Sequence, residues 1–289
     1  ILSGLVGSEM CIRDRFMRIV AEGLRFPEGP IAMPDGNVVL VEIERGTLSK
    51  VDASGAVEVI ANLGGGPNGA AIGPDGFCYV CNNGGMVFHR SSAGLLYPGG
   101  QPDNYKGGSI QRVNLDTGEF ETVYDECNGL VLRGPNDIVF DEQGGFWFTD
   151  HGKIRDRERD VTGVFYAKAD GSFIEEAIFP LEGPNGIGLS PDEKTLYVAE
   201  TVPGRTWAFD VIEPGKVDPR SKRMLALIPD YHLFDSLAVD AEGNVCVATI
   251  VTGGITIHSP DGGSVKHVPM PDRITTNICF GGQDLRTAY

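Results

Sequence analysis

Residues 183–200 read GPNGIGLSPDEKTLYVAE. A polar residue, Asn185, stands at the mouth of a short apolar run. Ser190-Pro191-Asp192-Glu193 supplies a turn, and a second apolar run follows. The pattern recurs at Glu28 (EGPIAMPDG), Asn68 (NGAAIGPDG), Asn136 (NDIVFDEQG), Asp235 (DSLAVDAEG) and Asn277 (NICFGGQDL). Each copy is followed by a strand-like stretch: NVVLV, FCYV, FWFTD, NVCVAT and RTAY. The chain is thus a series of strand–turn–strand units, each entered through a carboxylate or a carboxamide.

The spacing of these starts decides the architecture. The series 28→68→136→185→235→277 advances by 40, 68, 49, 50 and 42 residues. Four-stranded propeller blades take ~40–50 residues each. The long interval is a blade with an insertion, placed at residues 91–108 (SSAGLLYPGGQPDNYKGG). Further strands are predicted at Gly46–Val51, Val57–Ile60, Ser109–Asn114, Phe120–Tyr124, Gly163–Ala167, Thr206–Val211 and Arg223–Ile228. Forty glycines and eighteen prolines, many in PDG-like clusters, fit an all-β chain with tight turns. The expectation is an all-β, six-bladed β-propeller with a central metal-binding channel. Met17–Ala21 is expected to add the outer strand of the last blade. With the chain reaching Tyr289 part-way through that blade's second strand, the last blade is expected to be truncated, with an unpaired edge near Arg286–Tyr289.

Composition excludes several classes. The net charge of -16 and the lack of a basic stripe argue against a nucleic-acid partner. No apolar run approaches the ~18 residues of a membrane span, and a cytoplasmic location is expected. Residues 155–160 (RDRERD) alternate in sign and read as a solvated loop. Cys78 and Cys81 have the two-residue spacing of a zinc or redox motif. In a strand, however, that spacing points them to opposite faces, which favours a buried structural role.

In a propeller the innermost strand of each blade lines the channel, so its start contributes one residue to the channel mouth. Here those residues are Glu28, Asn68, Asn136, Asn185, Asp235 and Asn277. All offer oxygen and none offers sulfur or imidazole. Such a set suits a hard cation. As single residues, Asn and Asp would read as turn formers. Glu28 fits that reading poorly, and six polar residues in register favour a metal site.

The motifs FPEGP (26–30), GPNDIVFDEQGGFWFTD (134–150), EGPNGIGLSPDEKTLYVAET (182–201), DSLAVDAEGN (235–244) and TNICFGGQDLRTAY (276–289) carry a family resemblance. From residue 24 onward the chain resembles the regucalcin, gluconolactonase and luciferin-regenerating-enzyme family of six-bladed propellers. The resemblance implies a lactonase dependent on one divalent cation, Ca2+ foremost and Zn2+, Mg2+ or Mn2+ otherwise. Glu28, Asn185 and Asp235 match the metal ligands, and Asn136 matches a position that binds the metal or the substrate. Asn68 and His151 join Asn136 as expected substrate contacts. Some sugar-lactonase members carry Arg where this chain has Gly134, with Arg133 adjacent. Leu5–Arg15 resembles a translated sequencing-library adaptor. Residues 1–15 are therefore set apart from a propeller domain spanning 16–289, and a native export signal preceding it is left open.

The mechanism expected on this basis is lactone opening, with the metal polarising the carbonyl and Asp235 as catalytic base. The insertion, with Asp103, Asn104 and Tyr105, would overhang the pocket. Two other readings remain: a related metal propeller acting on aryl or phosphate esters, and a non-catalytic propeller binding calcium or a protein partner.

Overall fold

The computed structural model describes residues 2–3, 17–92, 94–225, 228 and 231–289. The adaptor-like residues 1 and 4–15 lie outside them. The described residues form an all-β propeller with no helix. No helix among the described residues is long and apolar enough to cross a membrane.

Turn chemistry cuts the chain where expected. Blade 1 comprises Pro27–Ala32, Val38–Glu42, Thr47–Val51 and Val57–Asn62. Blade 2 comprises Pro67–Ile72, Cys78–Asn82, Ser109–Val113 and Phe120–Tyr124. Blade 3 comprises Pro135–Phe140, Gly145–Asp150, Thr162–Lys168 and Ile174–Leu181. Blade 4 has Pro184–Leu189, Thr195–Glu200 and Arg205–Glu213, whose far edge pairs with the short strands Lys216–Val217 and Arg223–Met224. Blade 5 comprises Leu233–Val239, Val245–Ile250, Gly254–His258 and Val265–Pro269. Every pairing within the blades is antiparallel, and innermost strands of successive blades pack side by side.

The structure has five blades, not the six expected. Beyond Asn277 the chain forms only the two-residue strands Phe280–Gly281 and Thr287–Ala288, joined by Leu2–Ser3. Repeat arithmetic registered the start of a sixth unit; a full unit needs ~40–50 residues. Thr287 and Ala288 have a partner strand on each side, so the predicted unpaired edge is covered. Residues 17–24 contain no strand. Val20, Ala21 and Leu24 instead pack on Val38, Leu40, Val51 and Tyr289.

The ring is held by an apolar cluster at each junction. Val41, Leu48 and Val80 join blades 1 and 2; Tyr79, Phe146 and Phe148 join blades 2 and 3. Trp147, Ile187 and Val198 join blades 3 and 4, and Tyr197, Phe234 and Val247 join blades 4 and 5. The closing stretch is wedged between blade 5, through Ile255, Ile278 and Ala288, and blade 1, through Tyr289. Each buried aromatic contributes about 1.5–3 kcal/mol by removal from water. Cys78 belongs to the cluster of blades 1 and 2 and Cys81 to that of blades 2 and 3, so the thiols face opposite ways. Burial alone pushes the Cys78 thiol up to about 12, far from the thiolate a metal or redox centre needs.

Candidate functional site

Three local devices present the polar residues. First, every innermost strand begins with a register break two or three residues in: Glu28/Ile31, Pro67/Ala70, Pro135/Ile138, Pro184/Ile187 and Phe234/Leu237. A bulge re-aims side chains out of the ladder. Second, Gly186 follows Asn185 because the neighbouring blade passes too closely for a side chain. A Cβ there would lie 2.6 Å from Leu237 N and 2.7 Å from Asp235 O. Third, a buried polar residue at the end of the second strand holds the entry loop. Glu42 Oε2 accepts from Arg25 N at 2.8 Å, Asn82 Oδ1 from Gly66 N at 2.8 Å, and Glu200 Oε1 from Glu182 N at 2.7 Å. Asp150 accepts from Arg133 N and Gly134 N, both at 2.7 Å.

The result is a cavity of about 530 Å³ at the channel mouth, lined by Glu28, Asn68, Asn136, Asn185, Asp235 and His151. All six of these residues, expected at the site from the sequence, therefore line one space. The five from the innermost strands are buried, from 3% exposed at Glu28 to 9% at Asp235. Asn277 is displaced from this cavity; its Nδ2 donates to Glu28 Oε2 at 2.8 Å. The apolar wall includes Phe26, Ile43, Met86, Leu233 and Ile250.

The buried carboxylates of the site are strained electrostatically. Burial raises Glu28 well above the usual carboxylate range, and the neighbouring Asp235 adds to it. Burial pushes Asp235 up to about 7, against a hydrogen bond from Asn185 and with a further push from Asp137. Asn68 Oδ1 and Asn136 Oδ1 are shielded from solvent and have no hydrogen-bond partner among the described residues. An orphaned buried oxygen costs about 1–3 kcal/mol, so two beside a carboxylate pair require an explanation. A hard cation supplies one, because it would satisfy the amide oxygens and both carboxylates together. Among the described residues no group of three or more His, Cys, Asp or Glu could hold a metal ion. Any cation here would therefore rely on carboxamide oxygen as well as the two carboxylates.

Asp137 escaped the sequence reading. It lies in the channel below the cavity, lining a second space of about 240 Å³. Its carboxylate accepts from Ile138 N at 2.9 Å and Ile187 N at 3.2 Å, and burial raises it to about 7. A signal existed, since Asp137 occupies the position that holds Gly29, Gly69 and Gly186 in other blades.

The insertion does overhang the cavity, but through Leu95 and residues 97–101. Asp103 and Asn104 are exposed away from it. Tyr105 Oη donates to the Arg133 carbonyl at 2.5 Å, and Arg133 itself is exposed outside the cavity. Burial, reinforced by Arg159, holds His151 down at about 4, so its imidazole is neutral at pH 7.

A propeller with an oxygen-lined cavity at its channel mouth is the class that fold and site define. The match of residues 26–289 to the SMP-30/Gluconolactonase/LRE-like region places this chain in that family. A gluconolactonase of Zymomonas mobilis is 26% identical over 304 aligned positions, covering 93% of this chain and 77% of the relative. The structure of a Xanthomonas campestris gluconolactonase superposes with a TM-score of 0.72 at 24% identity, covering 90% of this chain and 81% of that one. Agrobacterium tumefaciens regucalcin, described as a calcium-binding protein, gives 0.71 at 19% identity, covering 91% and 80%.

Proposed function

We propose that this protein is a lactonase that opens a sugar lactone such as gluconolactone at the floor of the 530 Å³ cavity. The observation that carries the reading is the convergence of buried Glu28 and Asp235 with the unpartnered oxygens of Asn68 and Asn136. The names of the relatives support the same chemistry.

Glu28, Asn136, Asn185 and Asp235 would hold one divalent cation, Ca2+ before Zn2+, Mg2+ or Mn2+, as the hard oxygen donors favour. When bound, the cation would supply Lewis-acid polarisation of the lactone carbonyl. Asp235 takes a proton from water as that water attacks the carbonyl carbon, then returns it to the ring oxygen as the C–O bond breaks. The product is the open hydroxy acid. Asn68 and neutral His151 orient ring hydroxyls by hydrogen bonds. The apolar wall of Phe26, Ile43 and Leu233 keeps bulk water from the ester.

The test is a pH-stat assay with glucono- and xylono-lactone, an aryl ester and a phosphotriester, with and without chelator. The wild type should open lactones in preference to the other esters. Asp235→Ala should lose roughly 10²–10⁴ in kcat, the size of a general-base contribution. Undiminished turnover in that variant would overturn the assignment.

A further inference from the structure

The cavity also holds a lysine that no carboxylate among the described residues meets at ion-pair distance. Lys153 lines it and is 4% exposed. Its Nζ donates to the Gly85 carbonyl at 2.7 Å and to Asn83 Oδ1 at 3.3 Å, and lies 5.1 Å from the centre of the Tyr105 ring. An ammonium has three donors, so one N–H has no acceptor among the described residues. No Asp or Glu among them forms an ion pair with it. Lysine is almost never buried unless paired. Burial holds Lys153 down at about 8, with Asp150 and Asp160 pulling the other way from a distance.

A second cation sits behind the same wall. The 155–160 run is not simply solvated, as expected from its alternating signs. Arg155 is locked to Asp160 at 2.6 Å, while Arg159 turns inward, its Nε and Nη2 shielded and without hydrogen-bond partners. A Cβ placed on Gly183 would lie 2.7 Å from Arg159 Nη2 and 3.3 Å from His151 Nε2. The guanidinium is therefore a near neighbour of His151, which lines the cavity and feels its charge. Exposed Arg273 lines it too. In a chain of net charge -16, Lys153 and Arg159, which both act on His151, form a local cluster of positive charge.

We propose that Lys153, backed by Arg159, forms an anion subsite, and that the preferred lactone carries a carboxylate or a phosphate besides the ester. The proposal rests on the lactonase reading for its substrate, though the subsite itself does not. Lys153 is a specificity residue here: its free N–H and charge meet the substituent, and Tyr105 and Gly85 fix where that happens.

The experiment compares neutral gluconolactone with glucaro-1,4-lactone, the carboxylate arm, and 6-phosphogluconolactone, the phosphate arm. The wild type should show a KM at least about tenfold lower for one charged lactone, as a charge-assisted hydrogen bond implies. Lys153→Gln should raise that KM about tenfold relative to the neutral substrate, Lys153→Arg should restore most of it, and Arg159→Gln should act in the same direction. Calorimetric binding of glucarate and 6-phosphogluconate, each with one anionic group more than gluconate, gives a readout without turnover. Lys153-dependent binding with no lactone opened would sink the lactonase reading and leave the subsite standing. Gluconolactone turnover with a charged-to-neutral ratio unmoved in folded Lys153→Gln would sink the subsite alone.

Discussion

Asn277 Nδ2 donates to Glu28 Oε2 at 2.8 Å across 249 residues of sequence, so the bond that helps close the ring ends on a site carboxylate. Ring closure and site electrostatics are thereby linked. Thr276 strengthens the link, its hydroxyl donating to the Pro27 carbonyl at 3.1 Å while its own carbonyl accepts from Ser236 N at 3.1 Å.

Asn277→Ala should therefore act twice. Removing the donor to a buried carboxylate costs about 1–3 kcal/mol, readable by urea denaturation. The lost donor also lowers the Glu28 pKa in the wild type, so the acid limb of the pH–rate profile should move upward. A variant with wild-type stability and an unmoved acid limb would contradict the link.

Stability of the cation-free protein should fall as pH rises. Asp235 stands at about 7 against an ordinary 3.8. The folded state then binds more protons than the unfolded one between those values, and stability is lost as pH climbs through that window. At about 1.4 kcal/mol per pH unit the ceiling for Asp235 is about 4 kcal/mol. Thermal melts in chelator should give a lower Tm at pH 8 than at pH 5, and added Ca2+ should recover Tm at pH 8. Equal melting at both pH values in chelator would count against it.

Asp235→Asn separates activity from stability. It keeps the shape but removes a buried negative charge whose desolvation is costly. The variant should lose roughly 10²–10⁴ in kcat yet melt higher than the wild type at pH 8 in chelator. A lower Tm would mean that the carboxylate contributes to folding.

Gly186→Ala tests the close approach of blades 4 and 5. The added Cβ meets backbone of the strand carrying Asp235, which cannot rotate away. Overpacking of this kind costs about 1–3 kcal/mol, and displacement of Asp235 should reduce turnover as well. Full activity with unchanged denaturation would show that the strands can separate freely.

Local chemistry made most of the propeller legible. Turn clusters such as Pro34-Asp35-Gly36 end one strand and start the next whatever the rest of the chain does, and Phe120–Tyr124 falls where the sequence puts it. Five of the polar residues that line the cavity were legible because each blade start occurs at the same place in a repeat. Blade number was not, because a motif marks where a blade begins and says nothing of whether its outer strands follow. Residues 17–21 were expected to pair as an outer strand, but Val20 and Ala21 instead cover an apolar face. Lys153 and Arg159 sit in a loop, where side-chain direction is set by neighbours far off in sequence, Gly85 and Tyr105 for Lys153 and Gly183 for Arg159.

The register break shared by all five innermost strands has an evolutionary consequence. Ahead of each break the side chain is released from the alternation that governs the strand behind it. Residues such as Ile138 and Leu237 can stay committed to the core while Asn136 and Asp235 are exchanged for other chemistry. The propeller behaves as a socket whose pins can be rewired one blade at a time, and a change of substrate or cation need not be a change of fold.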